Sequence, residues 1–253
     1  MLRFMLAALL ATSTFAAPSA RPQLPQVFEP CPTSSPDFEA CAKRNLQKGV
    51  AVLSDGLPAV DFPPLDPLFV PELLLDYRGN EADVKMIIRN SETRGLKDVD
   101  ILSFRANLSD PSNMVIEVDF RIPALVIKGE YKTQGKIISF PIGGKGVYNI
   151  SMRDLTGTWT VRGDLVTVDG EEYLKVRHVN VLPEVGDMQV YASNLFTGND
   201  ELDKAALRFA NLYWPTIYKE LLPYADEGWD KFLRGQLNKF FLKFPFRAIF
   251  PEN

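Results

Sequence analysis

Residues 68–193 alternate between apolar and polar side chains over much of their length, and this pattern constrains the fold more than any other feature. Between Met114 and Ile122 every second residue is apolar, and those between are mostly polar. A period of two is that of a β-strand with one buried and one solvated face. Further strands are predicted near 70–77, 83–89, 99–108, 124–133, 145–154, 157–168, 172–182 and 187–193.

The segments between these strands are short and rich in turn-forming residues. They contain Gly79-Asn80, Asp110-Pro111, Gly143-Gly144 and Asp169-Gly170. Strands joined so closely form an antiparallel meander rather than a parallel sheet. The run Gly143-Gly144-Lys145-Gly146 lacks the Ser/Thr and the helix that a phosphate-binding loop needs, so it is interpreted as a turn between strands.

Helical periodicity flanks the strand region on both sides. Residues 37–54 place apolar side chains at spacings of three and four, which predicts an amphipathic helix. A second helix is predicted over 200–222, capped by Asn199 or Asp200, kinked by Pro215 and stopped by Pro223. More than half of its circumference is apolar, so we expect the sheet to surround it and to bury Phe209 and Ile217. A last amphipathic helix, predicted over 225–243, is expected to pack on the sheet.

Composition excludes several functions. The chain is 46% hydrophobic with a formal net charge of −4, which is typical of a globular protein and unfavourable for nucleic-acid binding. The single histidine, His178, excludes zinc sites that need two imidazoles. Serine-hydrolase, metalloprotease and phosphate-binding motifs are absent, so we expect neither an enzyme, nor a metal site, nor a cofactor.

The amino terminus has the pattern of a secretory signal. Arg3 precedes an apolar run, and small residues follow, which predicts a signal peptide over 1–16 and a single ligand-binding domain over 17–253. In the oxidising extracellular compartment Cys31 and Cys41 are expected to form a disulfide.

Two sequons, at Asn107 and Asn149, are candidate glycosylation sites. If Asn107 faces solvent, Leu102, Phe104, Ala106 and Leu108 point inward. If Asn149 faces solvent, Tyr148, Ile150 and Met152 point inward. Both strands then have an apolar inner face.

An ordered series of motifs resembles the insect juvenile-hormone-binding and takeout family. These motifs are the cysteine pair, GLPAVDFPPLDPL (56–68), TRGLKDVDI (93–101), GEYKTQGKIISFPIGGKGVYNI (129–150) and NLFTGN (194–199). The resemblance covers about residues 28–250. It implies an α+β fold in which a long C-terminal helix is wrapped by a strongly curved antiparallel β-sheet enclosing an apolar tunnel.

The resemblance also implies a function. It indicates a secreted, monomeric carrier for a small hydrophobic ligand: a juvenile hormone or other terpenoid, a fatty acid or a quinone. The alternative is a secreted interaction protein that contacts a receptor or a membrane through its C-terminal amphipathic helix. The aromatic residues expected to line the tunnel are Phe120, Tyr131, Tyr148, Trp159, Phe209 and Tyr213. Tyr148 and Tyr131 stand out, because a phenol facing an apolar interior needs a hydrogen-bond partner.

Overall fold

Our computed structural model describes residues 24–79, 82–137 and 140–252. The predicted signal peptide therefore lies outside the described residues. The helices are α1 (Phe38–Ser54), α2 (Asp200–Phe241) and α3 (Phe246–Ile249), with short 3₁₀ turns at Pro58–Val60 and Leu96–Asp98. The strands are β1 (Leu68–Arg78), β2 (Ala82–Arg94), β3 (Asp100–Asn107), β4 (Met114–Ile137), β5 (Phe140–Val168) and β6 (Glu171–Ala192).

The six strands form one antiparallel sheet in the order β1-β2-β4-β5-β6. β3 pairs with the first part of β4, and β2 pairs with the remainder, so both follow the same edge of β4. Asp169 and Gly170 both have positive φ at the β5–β6 hairpin, which suits the twist of a tight two-residue turn. The predicted antiparallel sheet is therefore confirmed, but it is not a simple meander, because the consecutive strands β2 and β3 both pair with β4 and not with each other.

Three strands are longer than the sequence pattern predicts. β4 spans 24 residues, β5 spans 29 and β6 spans 22, whereas each was expected as two separate strands. Pro123 and Ala124 are exposed at the irregularity in β4, and Asp154 has positive φ at the corresponding point of β5. Ile122 pairs with Leu155 and Ala124 with Arg153, so the β4–β5 ladder continues across these positions without a register shift. The alternation changes phase there, since Ile122 and Leu125 are both buried, and each sequence pattern therefore looked like two strands.

The glycine run is not a turn. Gly143 to Gly146 lie within β5, and Gly143 forms a parallel bridge with Phe196. A Cβ on Gly144 would lie 2.1 Å from the carbonyl oxygen of Asn194. Glycine is required here because the connection from β6 to α2 crosses directly over the strand.

Helix α2 runs along the free edge of β6 and closes the curved sheet. Its side chains hydrogen-bond to the β6 backbone at five places: Asn211 at Val190, Tyr218 at Pro183, Asp230 at Val179, Arg234 at Arg177, and Asn238 at Val176. On its other side, a Cβ on Gly228 would lie 2.8 Å from a methyl carbon of Leu73 in β1. The sheet and helix together form a half-barrel with its two edges joined through α2.

The α2 sequence was interpreted as two helices, and this is wrong. Asn199 caps the helix as predicted, accepting a hydrogen bond from the backbone N–H of Leu202, and Tyr213 has non-helical backbone angles two residues before Pro215. Pro223, however, does not stop the helix, which continues to Phe241. A proline removes one backbone hydrogen bond, and the surrounding contacts of α2 with β6 maintain the helix across that position.

Two burial predictions are also wrong. Phe209 is 59% exposed rather than buried against strands, because the α2–β6 contacts are made through the polar side chains described above. Leu102 is 50% exposed, since a register shift between Ile101 and Ser103 turns it outward. Phe104 is buried as expected.

The main hydrophobic core lies where α1 packs against β3 and the adjoining parts of β4, β5 and β6. Phe38 of α1 contacts the rings of both Phe104 and Phe250, with centroids about 6 Å apart. The Cys31–Cys41 disulfide is present and buried beside this core, as predicted. It joins the chain before α1 to the helix itself.

Candidate functional site

The concave face of the sheet carries no buried charged side chain in its described part. Residues directly opposite each other in an antiparallel ladder share a face, so the register identifies the inner rows. One row is Val70 and Ser91, another is Ile116 and Val161, and a third is Ile150 and Val190. Along the rows from Leu68 to Ala192, Glu172 is the one inward position among the described residues that holds Asp, Glu, Lys or Arg, and it is exposed near the β5–β6 turn. The charged residues beside irregularities, such as Arg153 and Asp187, are exposed.

One part of this face is filled by side chains of the main core. Phe120 is 2% exposed and stacks on Trp159 with ring centroids 4.4 Å apart. Ile122 and Leu155, which pair across β4 and β5, are also buried in this cluster. Phe120 and Trp159, two of the predicted ligand-lining residues, are thus packed against each other.

The other part of the inner face combines glycines with hydroxyl groups. Tyr131 is buried opposite Gly146, and Thr133 is buried opposite Gly144. The Tyr131 hydroxyl donates a hydrogen bond of 2.8 Å to the carbonyl oxygen of Ser193. Burial, with a smaller contribution from Asp203, raises the pKa of Tyr131 to about 12, so its hydroxyl stays protonated at physiological pH.

Tyr148 reaches across a glycine to the neighbouring strand. Gly129 of β4 lies between Tyr148 of β5 and Ser91 of β2, and a Cβ there would be 2.9 Å from the Tyr148 ring. The Tyr148 and Ser91 hydroxyl oxygens are 2.7 Å apart. Burial raises the pKa of Tyr148, and the hydrogen bond to Ser91 partly opposes that shift. Because one hydroxyl donates to the other, a single hydrogen of the pair remains to donate elsewhere.

Sequence reasoning missed several other buried polar groups. Ser91 and Thr93 are each 4% exposed, and the Oγ1 atom of Thr93 is buried without a hydrogen-bond partner. The Oε1 atom of Gln236 on α2 is also buried and unpartnered. The segment Arg89–Arg94 is entirely polar and contains a register shift, so alternation could not show which side chains point inward.

The two aromatic residues predicted on α2 lie at its exposed side. Phe209 and Tyr213 contact each other with centroids 4.7 Å apart, and Tyr213 is 48% exposed. They are not brought together with Phe120 and Trp159 in the main core.

The two sequon asparagines lie outside the concave face. Asn107 is exposed and its side-chain oxygen accepts a hydrogen bond of 2.7 Å from the Ser109 hydroxyl. Asn149 pairs with Tyr191 on the outer face, beside a cavity of about 400 Å³ that reaches Asn211 and Trp214 of α2. The lining of this cavity includes Ser151, Asp187 and Gln189, so it is too polar to be the apolar site.

Among the residues that the structure describes, no helix is both long enough and apolar enough to cross a bilayer.

Comparison with known proteins decides the family. The sequence profile of the haemolymph juvenile hormone binding protein family matches residues 5–251. The chain belongs to this family. Its members are binding proteins that carry hydrophobic ligands, and they are not enzymes.

Individual family relatives are distant but extend over most of the chain. The circadian clock-controlled protein daywake of Drosophila melanogaster is 22% identical over 85% of this chain and 84% of its own length. A protein of Schistocerca gregaria, named as a candidate beta-carotene-binding protein, is 24% identical over 86% of each chain.

A solved structure confirms the architecture. The crystal structure of Epiphyas postvittana Takeout 1 superimposes with a TM-score of 0.72 at 24% identity, covering 88% of this chain and 99% of that one. The expected α+β fold, with a long C-terminal helix against a strongly curved antiparallel sheet, is therefore confirmed.

Proposed function

We propose that this chain is a secreted carrier that holds one small hydrophobic ligand between the concave face of the sheet and helix α2. The observation that carries this proposal is the inner face without a buried charge, on which apolar side chains are interrupted by a few hydroxyl groups. Such a surface binds an apolar molecule by removing it from water, at about 25 cal/mol per Å² buried.

Among the hydrophobic ligands that members of this family carry, the concave face favours those without a charge. A terpenoid ester such as a juvenile hormone, or a quinone, carries oxygen atoms that Tyr148 or Thr93 could donate to. A fatty acid is ionised near neutral pH, and burying its carboxylate without a cation costs several kcal/mol. The name of the locust relative refers to a hydrocarbon, which is consistent with an uncharged site.

A matched pair of ligands tests this proposal. We expect the methyl ester of a long-chain terpenoid or fatty acid to displace a fluorescent apolar probe at pH 7.5, and the corresponding free acid to bind at least about tenfold more weakly, the equivalent of roughly 1.4 kcal/mol. Lowering the pH toward the ordinary pKa of a carboxyl group should strengthen binding of the acid and leave that of the ester unchanged.

Two results would contradict the proposal in different ways. Equal or tighter binding of the acid at pH 7.5 would show that the site supplies a counter-charge. Failure to bind either ligand, checked by native mass spectrometry of the secreted protein, would show that the chain is not a carrier. The alternative of docking through the C-terminal helix gains no support, since Trp229, Phe232 and Phe240 are half-buried.

A further inference from the structure

The outer face of the sheet has two different kinds of cation. Several arginines of this face are paired with acids: Arg89 with Glu72 at 2.9 Å, Arg94 with Glu92 at 2.5 Å and Arg105 with Asp119 at 2.6 Å. Five exposed lysines of this face, in contrast, have no ion pair within the described part of the chain; Lys128 lies farther along β4, and the other four lie together: Lys85, Lys132, Lys136 and Lys145. We call these four lysines, with Leu74 and Ile87, the basic face.

The strand register brings the basic face together from four strands. One row across the sheet reads Leu74, Ile87, Lys132 and Lys145, from β1 to β5. The next row holds Asp76, Lys85 and Gln134, and the one after it holds Arg78, Asp83 and Lys136. Asp76 pairs with Arg78 at 2.9 Å, and the other exposed acids beside these rows are Asp83 and Glu130, so the four lysines and Arg78 outnumber the three acids. The basic face is therefore a local positive region on a chain whose formal net charge is −4.

Lys132 and Lys145 are directly opposite each other in the β4–β5 ladder. Like charges at paired positions of neighbouring strands repel and destabilise a sheet. An acid at either position would have removed this cost, as it does for the arginines nearby. The repulsion would be relieved by an anionic surface lying across both side chains.

The basic face also presents apolar area. Leu74 is 50% exposed, and Val147, in the next outward position of β5 after Lys145, is 52% exposed. Lys85, Ile87, Lys132 and Gln134 surround a shallow depression of about 80 Å³. Lysines interspersed with exposed apolar side chains are the composition of a surface that contacts lipid headgroups.

We propose that the basic face docks the protein onto membranes that contain anionic lipids. Lysine is suited to this role because its ammonium is a point charge on a flexible stem, which needs no fixed partner geometry. A protein partner with acidic side chains would instead favour arginine, whose planar group binds a carboxylate through two hydrogen bonds. The proposal does not depend on which ligand occupies the concave face.

Vesicle binding of the full secreted protein tests this inference. The two arms are vesicles of phosphatidylcholine alone and vesicles with about one-third phosphatidylserine, each assayed by flotation at low and high salt. We expect binding only to the anionic vesicles, and loss of that binding at high salt. In the double variant Lys132→Gln/Lys145→Gln the partition coefficient should fall roughly 30-fold, since each lysine near an anionic surface contributes about fivefold.

A matched variant keeps the test specific. Lys231→Gln/Lys243→Gln removes the same charge from exposed positions in and just after helix α2 and should leave vesicle binding unchanged. If this control loses binding and the basic-face variant retains it, the C-terminal region is the docking surface and the proposal is wrong. Equal effects of both variants, or complete competition by inorganic phosphate at matched ionic strength, would also overturn it.

Discussion

At the scale of single residues, the structure changes the role expected for Tyr148. The ring does lie on the inner face, as the sequon argument predicted, but its hydroxyl is already 2.7 Å from that of Ser91. The two hydroxyls form a unit with one hydrogen left to donate. An oxygen on a bound ligand is the partner we expect for that hydrogen.

Substituting Tyr148→Phe tests this residue-scale interpretation. We expect about 1–2 kcal/mol weaker binding of an oxygen-bearing ligand, a roughly five- to thirtyfold higher Kd, because one hydroxyl is lost. Titration with a hydrocarbon of similar length is the control, and its affinity should not change. Unchanged affinity for both ligands would mean that the Tyr148–Ser91 pair only stabilises the fold.

At the scale of secondary-structure elements, the connection from β6 to α2 crosses closely over Gly144 of β5. Substitutions at Gly144 and at its neighbour Gly143 test this crossing. Gly144→Ala places a methyl group 2.1 Å from the Asn194 carbonyl oxygen, whereas a methyl group at Gly143 meets no atom within 4 Å. We expect Gly144→Ala to lower the free energy of unfolding by about 2–3 kcal/mol and Gly143→Ala to change it by less than about 0.5 kcal/mol. Urea unfolding measures both, and similar values for the two variants would refute the close crossing.

The hydrogen bonds that attach helix α2 to strand β6 are a second feature at the scale of secondary-structure elements. The amide of Asn238 bonds both the N–H and the carbonyl of Val176, at 2.9 and 3.0 Å, and Asn211 bonds Val190 in the same way. These side chains substitute for the neighbouring strand that an edge strand lacks.

We expect Asn238→Ala to cost about 2–4 kcal/mol of stability, because Val176 is 1% exposed and water cannot replace the lost bonds. Asn211→Ala should cost about 1 kcal/mol or less, since Asn211 is exposed and water can reach the Val190 backbone. Melting temperatures of the two variants, measured without ligand, make the comparison. A larger loss at Asn211 would show that solvent access does not control the strength of this attachment.

At the scale of the whole molecule, charge is separated by the two faces of one sheet. The concave face carries no buried charge in its described part, while the outer face carries arginine–acid pairs and the basic face. The net charge of −4 excludes neither arrangement, because it averages over both. Ligand class and docking surface therefore depend on where charges lie, and total charge is a poor guide to either.

The sequence by itself determined the fold class, the antiparallel order, the family, helix α1 and the disulfide. These follow from local signals, namely the period of apolar residues, turn residues and short motifs, which do not depend on distant contacts. Only the tertiary structure decided that β4, β5 and β6 are continuous, that Pro223 lies within α2, and that Ser91 meets Tyr148. These depend on strand pairing along the sheet, on side chains of α2 bonding the edge of β6, and on packing across Gly129. Such contacts join residues far apart in the chain, and no periodicity within one segment records them.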